Sequence, residues 1–134
     1  MTNTTEPDVD VIVRSYVAVW SEPDPEARRR AVAGLWAPDG VEFVEGARFR
    51  GHEELDARIT EAYEQFVGSG DYIVTAAGDT AVHDDIVTFT VQLVPAGGAR
   101  DGEAAWAARV FLLLGGDGLI REDYHLTVKP LVSQ

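Results

Sequence analysis

The sequence predicts an α+β domain, and three observations predict it. Apolar residues in the first half recur with helical spacing. In the second half the period changes to two, in four segments rich in Val, Ile, Thr, Phe and Tyr. Those four segments are joined by short, turn-rich connections, which argues for an antiparallel meander. Helices followed by a run of strands is the α+β order. The chain has 134 residues, 46% of them hydrophobic, enough for one domain with a sizeable core. Residues 1–6 read as a flexible tail and 7–134 as a single domain.

The elements follow in order. Val9, Ile12, Val13, Tyr16, Val17 and Trp20 form one face of a first helix. Ser21–Pro25 breaks it. Asp24 then reads as an N-cap, with Pro25 at the first helical position and Glu26 in the first turn. The second helix turns Ala27, Ala31, Val32, Leu35 and Trp36 inward and is expected to end at Pro38-Asp39-Gly40. Two short extended pieces follow, Val41–Val44 and Ala47–Phe49. A third helix starts after Gly51, shows Leu55, Ile59, Tyr63 and Phe66 on one face, and stops at Gly68-Ser69-Gly70. The expected strands are Tyr72–Ala77, Ile86–Val94, Ala104–Leu114 and Leu119–Val128, separated by Gly78-Asp79, Pro95–Gly102 and Gly115–Gly118.

Charge and composition exclude several classes. With 23 acidic and 11 basic residues the net charge is −12, a surface that repels nucleic acid and anionic membranes. Arg28-Arg29-Arg30 reads as a solvated helix face rather than a basic patch. Cysteine is absent, which removes disulfides, thiolate metal sites and a cysteine nucleophile and fits a cytoplasmic location. Neither a signal peptide nor a membrane span is expected. Ser21 and Ser69 lack a neighbouring acid or histidine, so no serine triad is supported. Gly115–Gly118 precedes a strand, not a helix, and is no phosphate loop.

Several strings resemble the nuclear-transport-factor-2-like superfamily, in its SnoaL-like and ketosteroid-isomerase-like branch. They are Tyr16–Trp20, Leu35–Asp39, Phe49-Arg50-Gly51 and Gly118-Leu119-Ile120. The resemblance implies a cone, in which three N-terminal helices pack on a strongly curved antiparallel sheet around an apolar cavity. It also implies a register. Val87, Phe89 and Val91 should face the cavity, with Trp106, Ala108, Val110 and Leu112. On the last strand the inward set should be Arg121, Asp123, His125 and Thr127. Period-two alternation yields the same sets without saying which points inward, and a one-residue slip would invert them. Trp20, Trp36, Tyr63 and Phe66, from the helices, complete the expected lining.

Three residues carry the expected chemistry. Asp123 and His125 stand two apart on one strand, roughly 7 Å from each other, so they share a face. Such a pair can move a proton, with Asp123 as acid–base and His125 tuning it. The other reading places both in water or a subunit contact, with Tyr124 and Leu126 inside. Tyr16 lies in the apolar stripe of the first helix, so its buried hydroxyl needs a partner. The resemblance implies that it donates to a developing oxyanion; a core tyrosine bonded to a carboxylate or water is the alternative. Steroid isomerisation itself is not expected. The family's general-base aspartate aligns with Val44 and its second oxyanion donor with Val110, and Glu42 and Glu45 are set aside as facing away.

The expected function is therefore a cofactor-independent enzyme for a small apolar or aromatic molecule, acting by proton transfer next to a carbonyl. A binding domain for a hydrophobic ligand, or an oligomerisation module, is the alternative. No metal is expected, since His52, His83 and His125 fall on different elements and His83-Asp84-Asp85 reads as a solvated turn. Arg109, Phe111 and Leu113 alternate on the face opposite Val110 and Leu112, and are expected to pack a homodimer.

Overall fold

A computed structural model describes residues 8–97 and 103–131. The expected tail, residues 1–6, lies outside them. The α-helices are α1 (Val9–Val19), α2 (Pro25–Leu35) and, after the first two strands, α3 (Gly51–Ala62). The Asp8 carboxylate caps α1 by accepting from the Asp10 and Val11 amides, and Asp24 caps α2 by accepting from Ala27. A π-helical turn, Tyr63–Val67, ends α3. The strands are β1 (Trp36–Val44), β2 (Ala47–Arg50), β3 (Tyr72–Ala76), β4 (Ala81–His83), β5 (Ile86–Pro95), β6 (Trp106–Leu114) and β7 (Ile120–Lys129).

They form one curved sheet in the order β2-β1-β7-β6-β5-β3, with β4 also on β5. The expected four-stranded antiparallel meander is present as β3-β5-β6-β7, with β4 added between β3 and β5 in the chain, but β1 lies parallel to β7. That pairing spans some two-thirds of the chain and has no local signature. β3 and β4 take successive halves of one edge of β5. The turn expected at His83–Asp85 closes the β4–β5 hairpin, with Asp84 at φ 54°. Register shifts at Ala107/Ala108 and Leu113/Leu114 lie where β6 meets β7; such bulges bend a sheet and increase its twist.

The second helix ends earlier than the sequence suggests. Pro38 disfavours helical geometry at Ala37, and Trp36 pairs with Ile120 as the start of β1. Gly40 belongs to that strand. A side chain there would meet the Ile120 carbonyl oxygen at 2.9 Å, so glycine lets β1 close onto β7. Arg28 is also not the solvated residue expected. It is 2% exposed, donating to Thr60 Oγ1 and to the Glu22 and Pro23 carbonyls, and so pins the α1–α2 connection to α3.

The inner sheet face carries the alternating set of β5 and β6, with Val87, Phe89, Val91, Ala108, Val110 and Leu112 buried. On β7 Asp123 and His125 are buried, while Tyr124 is 38% and Leu126 54% exposed. Arg121 departs from the expected inward set: the register shift before Glu122 flips the phase between Ile120 and Asp123, and Arg121 faces solvent.

Candidate active site

Strand order builds the site. β7 turns Asp123 and His125 inward, and its parallel neighbour β1 sets Glu42 opposite Asp123 and Val44 opposite His125. Helix α1 contributes Tyr16 and α3 contributes Arg58. Tyr16 donates to Asp123 Oδ2 at 2.7 Å and contacts His125 Nε2 through the same hydroxyl. Its single proton is committed to Asp123, so its oxygen accepts from His125, and Nε2 carries a hydrogen. Asp123 Oδ1 and Glu42 Oε2 each lie 3.2 Å from the same nitrogen. Neither has a hydrogen bond, because the N–H points at Tyr16. They act on the imidazole through charge. Arg58 Nε donates to the other Glu42 oxygen at 3.3 Å.

Burial and neighbouring charge set the proton affinities. Desolvation raises the Tyr16 phenol well above its ordinary range, and the carboxylates of Asp123 and Glu42 add to it. Glu42 is raised by burial, against the opposing pull of His125 and Arg58. Burial by itself would lower His125, but Asp123 and Glu42 outweigh it and hold the imidazole above its usual value.

Above this network lies a cavity of about 370 Å³, at the small end of the range for ligand pockets. Trp20, Phe66, Val91 and Trp106 of the expected lining do line it, joined by Val74 and Leu93. Trp36, Val87, Phe89, Val110 and Leu112 do not. The cone narrows there, and the Tyr16 ring fills it, 5.6 Å from Trp36 and 5.5 Å from Phe89. Tyr63 is turned away as well. The helix passes into its π turn at this residue, and the ring packs under the Arg28 guanidinium, 4.8 Å from it.

Of the three expected catalytic residues, the fold brings all into contact but presents only His125 to the cavity. Asp123 and Tyr16 lie beneath its floor. Two groups were missed from sequence. Glu42 is two residues from Val44 and therefore shares its inward face, a parity that could have been read from the strand. Arg58 lines the cavity from α3 one helical turn after the inward Leu55, a weaker signal.

Glu42, Asp123 and His125 also place ligand atoms within 4.8 Å of one another, the spacing of a metal site. Their shared centre is already served by protein groups: Tyr16 occupies the Nε2 side, and Arg58 supplies the positive charge. The residues fit a proton-sharing network better than a metal centre.

No protein-family model and no curated protein matches the chain. Solved structures do. A candidate isomerase of the SnoaL-like family from Agrobacterium tumefaciens str. C58 superposes with TM-score 0.75 at 24% identity, over 87% of this chain and 94% of that one. A candidate polyketide cyclase from Sinorhizobium meliloti gives 0.62 at 20% identity, over 93% and 99%. A de novo designed NTF2-fold protein, NT-9, gives 0.65 at 16% identity, over 96% and 88%. With three helices on a curved, mostly antiparallel sheet, this chain has the nuclear-transport-factor-2-like fold.

Proposed function

We propose that the protein is an acid–base enzyme that moves a proton next to a carbonyl in a small apolar or aromatic molecule, with His125 as the proton carrier. The observation that carries this reading is the orientation of His125. Its Nε2–H is held by Tyr16 over two buried carboxylates, and its ring borders the cavity. Among the described residues Nδ1 has no hydrogen-bond partner, and it is the nitrogen left to exchange a proton with a ligand. A histidine fixed at one nitrogen and open at the other is suited to general acid–base work. Nδ1 takes a proton from the carbon beside the carbonyl. The imidazolium is balanced by Asp123 and Glu42, and the proton returns to another carbon or to a leaving oxygen. Asp123, Glu42 and Tyr16 are positioning residues in this scheme. Isomerisation, cyclisation and dehydration all fit it, and isomerase and cyclase are the activities given to the two SnoaL-like and cyclase neighbours.

The test is a screen of aromatic ketones and polyketide-like compounds, followed by comparison of wild type with His125→Gln. Conversion by wild type and loss of nearly all turnover in the variant are expected. Equal turnover by both proteins would remove His125 from the chemistry. Binding of apolar ligands with no conversion of any would replace this reading with a sequestering domain.

A further inference from the structure

We propose that Arg58 is the anion anchor of the cavity and that its ligands are carboxylic acids, held by the outer edge of the guanidinium with their apolar bodies against Phe66 and Trp106. This names the ligand class of the cavity just described and rests on that cavity being the substrate site.

Arg58 is the sole lysine or arginine among the residues that line the cavity. Its side chain is 23% exposed, so the charge is neither solvated nor sealed. One edge is taken, since Nε donates to Glu42 Oε1. The guanidinium also sits over two aromatic rings, 5.3 Å from the Trp20 ring centroid and 5.5 Å from that of Phe49. These contacts fix the plane of the group. The two terminal nitrogens remain. Among the described residues they have no hydrogen-bond partner, and neither is a buried unpaired atom. A planar pair of N–H donors, pre-aligned at the wall of an apolar cavity, matches a carboxylate bidentately.

The acidic groups near Arg58 leave its outer edge open. Glu42 is its one ion-pair partner among the described residues, and that contact engages Nε alone. The other acidic group on the lining, Glu45, is exposed and accepts from Thr127 at 2.8 Å. The lining thus offers an anion one cationic edge, in a chain of net charge −12.

Binding, not turnover, tests this. Benzoate, cinnamate, 2-naphthoate and decanoate would each be titrated calorimetrically against the matching primary amide, which keeps the shape and removes the charge. At pH 7 and low salt, at least one acid should bind wild type about tenfold or more tighter than its amide, the scale of one charge-assisted hydrogen-bonded pair. Arg58→Lys should keep a smaller preference, since an ammonium lacks the fork. Arg58→Gln alone would strand buried Glu42, so the double variant Glu42→Gln/Arg58→Gln provides the control and should bind acid and amide alike. His125→Gln should retain the preference even though the proposed proton carrier is gone, which separates this inference from the catalytic one. No acid binding better than its amide would overturn the proposal. So would a preference that survives in the double variant.

Discussion

The hydroxyl of Tyr16, on the first helix, donates to Asp123 on the last strand at 2.7 Å, across 107 residues of sequence. Both side chains are fully buried, so the bond closes the floor of the cavity and ties the helical layer to the sheet. Tyr16→Phe keeps the ring and its edge-on contact with Phe89 but leaves Asp123 Oδ2 and the His125 N–H without their partner. A loss of about 1–3 kcal/mol in unfolding free energy is expected, the cost of stranding buried polar groups. Denaturant titration would show it, and an unchanged midpoint would mean that the bond contributes nothing net.

Asp123→Asn tests how the imidazole is tuned. The amide preserves shape and removes the charge that does most to raise His125. The His125 resonance, followed by NMR, should titrate at lower pH than in wild type. If the protein is catalytic, turnover should fall and its pH profile should shift the same way, because the proton carrier His125 loses a carboxylate that balances its imidazolium. A His125 titration that does not move would place the tuning elsewhere.

Stability should fall as pH rises. Glu42 and His125 both bind protons more tightly in the fold than in the unfolded chain, Glu42 because burial disfavours its charged form and His125 because two carboxylates outweigh burial. The stabilisation from such groups is complete below their ordinary values, 4.5 and 6.5, and is lost as pH climbs through the raised values. A tenfold gain in proton affinity on folding corresponds to about 1.4 kcal/mol. Unfolding curves between pH 5 and 9 should slope downward for wild type and flatten for Glu42→Gln/His125→Gln. The net charge of −12 acts in the same direction in both proteins, so the difference between the curves is the measurement that decides.

The outer sheet face should associate. Arg109, Phe111 and Leu113 lie there half-buried, and beside them on β7 Tyr124, Leu126 and Val128 are exposed, with Tyr124 stacked 4.8 Å from Phe43. A contiguous apolar face of this kind is costly to leave in water. We propose a two-fold homodimer through it. Sedimentation at micromolar concentration should give a dimer for wild type and a monomer for Leu126→Lys; a monomeric wild type would refute it.

Much of the fold was legible in local patterns. Period 3.6 marked the helices, Asp24-Pro25 marked the start of α2, and alternation marked the inward sets of β5 and β6, because each signal depends on neighbours within one or two turns or pleats. The Asp123–His125 pairing was legible for the same reason, since two residues on one strand share a face. The superfamily resemblance supplied what alternation lacks, the direction of that face. Three features were decided only by the tertiary structure. The parallel contact of β1 with β7 placed Glu42 opposite Asp123, a pairing between distant segments that leaves no mark in either. The bulges of β6 and β7 moved Arg121 out of phase, because a bulge is a property of two strands together. The packing of Tyr16 among Trp36 and Phe89 filled the base of the cone and left the cavity to His125 and Arg58, because which apolar residues face empty space depends on the summed volumes of all their neighbours.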